Sequence, residues 1–193
     1  MINLFVQEKG KLTGRHYEQG TYHSVDLDTA LKYLYCSALS AREPQLFTKP
    51  MDDNGLYFPV LDLDDNRDEK SMKILSELDS YALIQSSGVE ERFDECNHYW
   101  LIYGKSMELN GCLEWMERVN EKMGYISDYR YISCANLSRD IVLRAFPKSG
   151  YVPRIVNKTN ISEGLSKWLD EFEAYWKNEI IDDIISAQFL RML

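Results

Sequence analysis

The stretch Tyr57-Phe58-Pro59-Val60-Leu61-Asp62-Leu63-Asp64-Asp65 reads as a core strand that carries two carboxylates on one side. Side chains alternate along a strand, so Val60, Asp62 and Asp64 share one face while Leu61 and Leu63 share the other. Carboxylates on an apolar strand cost free energy to bury unless a cation or hydrogen-bond donors compensate them. A divalent metal meets that need, since Mg²⁺ is commonly held by one or two carboxylates plus substrate phosphates. The other reading is an acidic turn that closes a core strand, and on this segment alone the two stand level.

Working outward, the rest of the chain sets the frame for that strand. Its 193 residues suffice for one domain with a substantial core, and 45% hydrophobic with 12% aromatic content is globular. No run of 18 apolar residues and no basic-then-apolar leader occurs, so a cytoplasmic protein with no membrane partner is expected. The four cysteines, Cys36, Cys96, Cys112 and Cys134, form no CxxC pair and have no nearby histidine partner. Reduced core thiols are expected, with no zinc and no disulfide framework.

Net charge is −9, which argues against nucleic acid when taken as a sum. Its distribution argues differently. Between Arg130 and Lys158 there are six basic residues (Arg130, Arg139, Arg144, Lys148, Arg154 and Lys158) against one acid, Asp140, giving +5 there and −14 elsewhere. Such asymmetry can place an anion-binding face on an acidic protein, although a basic edge strand kept soluble by its charge gives the same pattern.

Hydrophobic periodicity divides the chain into alternating short elements. Strands are expected at Ile2 to Val6, Leu46 to Thr48, Tyr57 to Asp65, Tyr81 to Ser87 and His98 to Tyr103, with turns or a hairpin over Gly10–Gly20 and a strong turn at Met51–Gly55. Ser24 or Asp26 caps a helix from Leu27 to about Arg42, a second helix runs from about Asp68 to Leu78, and Ser106 caps a third that ends at Gly124. Three β-like runs follow, Tyr125 to Ser133, Ile141 to Phe146 and Tyr151 to Val156. From Ser162 the spacing of Leu165, Trp168, Leu169, Phe172, Trp176, Ile180 and Ile184 predicts a helix that packs by its apolar stripe. The expected class is α+β, with a mixed or antiparallel sheet flanked by helices on one face and a C-terminal helical tail. Residues 1–160 are expected to form the main domain, with 1–50 accessory to its core, and residues 161–193 a helical segment packed on it.

Three elements bear chemistry in order: Asp62-Leu63-Asp64, then Cys96-Asn97-His98 opening a strand, then Asp140 ahead of Arg144, Pro147, Lys148 and Arg154. Alternation puts His98, Trp100 and Ile102 on one face. Two-metal phosphoryl transfer uses ions about 3.5–4 Å apart, bridged by carboxylates, with cations holding the phosphates. Asp128 is the substitute for Asp140 as the third carboxylate.

Over Tyr57 to Val156 the chain resembles the archaeo-eukaryotic primase superfamily, the primase-polymerases of archaea, eukaryotes, plasmids and phages. VLDLD is similar to its first motif, Cys96-Asn97-His98 before an apolar strand to its second, and Asp140 with Arg144, Pro147 and Lys148 to its third. The resemblance implies an RRM-like core and template-directed nucleotidyl transfer in replication or repair of a mobile element or phage. It assigns Asp62, Asp64 and Asp140 to two Mg²⁺ or Mn²⁺ ions, and His98, Arg144 and Lys148 to a nucleoside triphosphate; Ser86 and Ser87, just before the second motif, either line that nucleotide pocket or make strand-end hydrogen bonds. Arg139, Arg154 and Lys158 would meet a single-stranded DNA template, with Tyr151 or Trp100 available for base stacking, and a helicase or other replication protein is the implied partner. The chain departs from the family in the loop before His98, which carries Glu90, Glu91, Asp94 and Glu95 where many relatives are glycine-rich. A metal-dependent nuclease or phosphodiesterase, and an inactive primase-like subunit or interaction protein, are the competing functions.

Overall fold

The computed structural model describes residues 2–8, 21–39, 46–63, 73, 75–87, 98–124, 127–145, 152–178, 181 and 183–184. The expected turns over Gly10–Gly20, most of the expected helix from Asp68, the carboxylate of Asp64, Cys96-Asn97, Lys148 and Tyr151 lie outside the described residues.

The class is α+β, built on two four-stranded antiparallel sheets. The first runs in the order β2 (Thr21–Val25), β1 (Leu4–Glu8), β3 (Leu46–Thr48), β7 (Leu143–Arg144). The second runs β4 (Val60–Leu63), β6 (His98–Tyr103), β5 (Tyr81–Ser87), β8 (Arg154–Thr159). Helix α1 (Leu27–Leu39) contacts β1 and buries Ala30 and Leu34. Asp26, not Ser24, caps it, its carboxylate accepting from the Thr29 N–H at 2.7 Å.

Helices cover the second sheet on both faces, not on one as expected. On one face α2 (Leu109–Lys122) stacks Trp115 on Tyr103 with ring centroids 4.9 Å apart. On the other, α4 (Glu163–Trp176) sets Phe172 against Trp100 at 6.3 Å. The reason is that central β6 is apolar on both sides, with Tyr99, Trp100, Leu101 and Ile102 all buried. Helix α4 also reaches the first sheet's side, where the Trp168 indole N–H donates to the Lys49 carbonyl at 2.9 Å and the Tyr175 hydroxyl to the Ala145 carbonyl at 2.5 Å. It therefore braces the two sheets, where its apolar stripe predicted only that the helix packs.

Two other elements differ from expectation. Residues Tyr129–Ser138 form a helix, α3, where Tyr125 to Ser133 read as a strand. Asp128 caps it by accepting from the Arg130 N–H, and the helix buries Ile132 and Ala135 against its neighbours; tertiary burial and the cap outweigh the β-propensity of Tyr-Arg-Tyr-Ile. Helix α2 starts beyond Glu108 with no side-chain cap, because the Ser106 hydroxyl donates instead to Asp52 at 2.7 Å. Asp52 also accepts from the N–H groups of Asn54 and Leu56, which fixes the Met51–Gly55 turn, with Gly55 at φ 80°. Among the described residues no helix is long and apolar enough to cross a membrane.

Candidate functional site

Register brings Asp62 and His98 to one face of adjacent strands. Asp62 lies opposite Trp100, which in turn lies opposite Ile84 on β5 and, through it, Ile155 on β8. Directly opposed residues share a face, and His98 is two residues from Trp100 on β6, so Asp62 and His98 project to the same side. Both are half-buried. The Ser87 backbone pairs with His98 past a bulge at the end of β5.

Helix α3 opens against this corner. The Asp128 N–H donates to the Asp62 carbonyl at 2.8 Å, and Leu63 forms a bridge with Ser127. The N-terminal end of a helix carries partial positive charge, which favours carboxylates beside it. The Asp128 carboxylate accepts from the Arg130 backbone N–H, Nε and Nη2 at 2.9, 3.1 and 3.2 Å. Burial works against its ionisation, but these bonds, the Arg130 charge and the His98 charge outweigh it and hold its pKa below the usual value. His98 and Asp128 are thus electrostatic neighbours.

Asp140 occupies a different setting. It is buried, and its Oδ1 accepts from the Tyr57 hydroxyl at 2.9 Å and the Ile141 N–H at 3.0 Å, while Oδ2 pairs with Lys49 Nζ at 2.6 Å. Lys49 is held in turn over the Phe5 ring, 4.4 Å from its centroid, with Tyr22 at 5.8 Å. Among the described residues no three His, Cys, Asp or Glu side chains are grouped to hold a metal ion. Asp62 offers the hard oxygen that Mg²⁺ or Mn²⁺ requires, and Asp64 adds a second in sequence.

The basic residues disperse. Arg144 sits on β7 of the first sheet, opposite Phe47, and so does not share a sheet with His98. Arg154 pairs with Gln85 through a 2.9 Å bond from Nε, on the face of the second sheet opposite to Asp62. Lys158 shares the Asp62 face, in the row of Val60, Ile102 and Ala82, and lies 3.5 Å from Asp170 of α4. Arg139 caps α3 in the left-handed region, φ 54°, and donates to Asn110. Trp100 is core, packed on Phe172. Sequence reasoning missed Lys49, Tyr57, Tyr22 and Tyr131, which no motif marks.

The thiols divide. Cys112 is buried, its thiol donating to the Tyr57 carbonyl at 3.3 Å and pushed up to about 12 chiefly by burial. Cys36 and Cys134 are exposed, not core. Each sits on a helix position that turns away from the apolar stripe.

Four phenols around these elements share one shift. Burial is the main cause at each; it raises Tyr22 to about 12 and holds Tyr57, Tyr131 and Tyr175 above the usual range. The Asp140 charge adds at Tyr22, Tyr57 and Tyr131, and the Asp62 charge at Tyr131, so Tyr131 has both carboxylates as neighbours. A raised folded-state pKa gives stability that is complete below the unfolded phenol value of about 10 and is lost as pH rises through the folded one. With the Cys112 thiol, raised from 9.0 to about 12, acting in the same direction, the urea midpoint is expected to start falling as pH passes about 9 and to fall more steeply from about 10 towards 12. Tyr175→Phe should lower the unfolding free energy at pH 8 by about 1–2 kcal/mol, because the buried Ala145 carbonyl loses its donor, and should make the alkaline fall shallower. An unchanged midpoint at pH 12 would contradict the assigned burial.

Comparison with protein-family models, curated proteins and solved structures finds no match to this chain.

Proposed function

We propose that the protein is a metal-dependent, template-directed nucleotidyltransferase of the primase-polymerase kind. The observation that carries this reading is the shared face of Asp62 and His98 on neighbouring antiparallel strands, beside the N-terminus of α3. Asp62 and Asp64 would hold Mg²⁺ or Mn²⁺. When bound, the metal supplies charge neutralisation on the triphosphate and activates the attacking hydroxyl. His98 donates from imidazole to a phosphate oxygen, on the face that Asp62 occupies. The strand order β4-β6-β5, with β6 inserted between two strands joined by a crossover, supports an RRM-like reading for those three strands. Strand β8 departs from it by taking the outer edge of β5, where an RRM-like sheet sets its last strand beside its first.

Purified protein should extend a primer, or start a strand, on single-stranded DNA with nucleoside triphosphates and Mn²⁺. Absence of incorporation across both ribo- and deoxynucleotides, with folded protein, would count against the reading. A non-catalytic primase-like subunit is the second reading, favoured by one observation. The Asp140 carboxylate, which the family motif would give to metal, is engaged by Lys49, Tyr57 and Ile141. Calorimetry showing no Mn²⁺ or nucleotide binding would select it.

A further inference from the structure

We infer that Asp140 is a positioning residue: its carboxylate fastens the first sheet to the strand that bears Asp62, and metal is held without it. This rests on the reading of Asp62 and Asp64 as the metal-binding pair.

The carboxylate joins three segments. Lys49 directly follows β3, Tyr57 leads into β4, and Ile141 leads into β7. Tyr57 is itself fixed on its other side, its backbone exchanging two 2.9 Å bonds with Met107. A pull on the Asp140 oxygens therefore acts on the lead-in to β4, three residues before Val60 and five before Asp62. An ionised carboxylate has about four acceptor positions, and three donors already occupy Asp140. The third donor is the decisive one. Lys49 Nζ lies 2.6 Å from Oδ2 with both side chains nearly enclosed, 15% and 11% exposed, so a divalent cation on that oxygen would face an ammonium in a poorly screened setting. The Phe5 and Tyr22 rings, 4.4 and 5.8 Å from Nζ at their centroids, attract the ammonium to that position.

Buried pairs have a property that separates fastening from ligation. Removing one partner leaves the other charge uncompensated, whereas neutralising both restores much of the loss. The test compares Lys49→Met, Asp140→Asn and the double variant K49M/D140N in urea unfolding, in Mn²⁺ titration followed by electron paramagnetic resonance, and in nucleotide incorporation. Each single variant is expected to raise the unfolding equilibrium constant roughly 100-fold or more, and the double variant to bring it back down at least about tenfold. Mn²⁺ stoichiometry should match wild type in all three, and incorporation should be lowered alike by the two single variants and rise again in the double. Loss of a Mn²⁺ site in D140N, or a double variant as unstable and inactive as D140N, would overturn the inference. Should wild type bind no Mn²⁺, the Asp62/Asp64 reading fails. The unfolding cycle then decides the fastening by itself, and additive single losses would refute it.

Discussion

Asp62→Asn/Asp64→Asn is expected to lower nucleotide incorporation at least about 10³-fold while leaving the fold intact. The magnitude follows from what the two anionic groups are asked to supply: a barrier change of about 4 kcal/mol corresponds to three powers of ten, and metal-assisted charge stabilisation is worth several kcal/mol. The fold should survive because the bond that ties α3 to β4 uses the Asp62 carbonyl, which asparagine keeps, and because Asp62 is half-buried and not in the core. Asparagine also keeps the side chain's shape, so Trp100 opposite retains its packing against Phe172. His98→Ala should act differently, raising KM for the triphosphate roughly 10- to 100-fold with a smaller change in kcat, as expected of a group that binds phosphate without reacting. Incorporation by the double variant within a few-fold of wild type, at saturating Mn²⁺, would remove the catalytic assignment altogether.

How far the sequence reveals this site depends on the kind of signal. The Asp62 strand and the His98 strand are legible as strands because each is a short apolar run bounded by turn residues, but β6 is apolar on both sides, so the register that sets Asp62 and His98 on one face comes from the pairing and not from the pattern. That β6 lies between β4 and β5 is seen in the pairing, whereas the sequence predicts only a mixed or antiparallel sheet. What the sequence hides is contact between elements far apart in the chain. Tyr57 and Asp140 are 83 positions apart, and nothing at either position announces the other. Lys49 reads as a loop lysine until β1 brings Phe5 beneath it. Helix α3 was hidden for a different reason, since Tyr129, Tyr131 and Ile132 favour strand locally. Its signal was present in Asp128 followed by Ile132 and Ala135 at helical spacing, ahead of a two-residue strand too short to hold a sheet without β3. The third metal-binding aspartate expected from the motif order thus depends on tertiary partners that only the assembled sheets reveal.

Gly104→Ala is expected to be the most destabilising single substitution among the described glycines, by about 3 kcal/mol or more. Gly104 follows β6 at the point where the chain passes Ser80: its N–H donates to the Ser80 carbonyl at 3.0 Å, and its own carbonyl accepts from the Ser162 N–H at 3.0 Å, just before α4. An added Cβ would fall 1.8 Å from Ser80 Oγ, 2.9 Å from its Cβ and 3.1 Å from its carbonyl carbon. The hydroxyl cannot simply rotate away at no cost, because it donates to the Asn160 carbonyl at 2.7 Å and is buried. Its backbone contact would remain after any rotation, so the strand end itself must shift, and overpacking of this kind costs about 1–3 kcal/mol before the lost hydrogen bond is counted. That shift would be transmitted to both neighbours of the close approach, the start of β5 and the Ser162 cap of α4, and through α4 to the brace between the sheets. G104A should therefore lower the urea midpoint and also speed hydrogen exchange of the Ser162 and Leu165 amides. Adding Ser80→Gly should return part of the stability by removing the two nearest side-chain atoms, while leaving the 3.1 Å backbone contact and the lost bond to Asn160 as a residual deficit. A G104A variant within 0.5 kcal/mol of wild type would mean that β6 and the Ser80 turn do not approach as closely as described, and with it the docking of α4 on Gly104 would have to be redrawn.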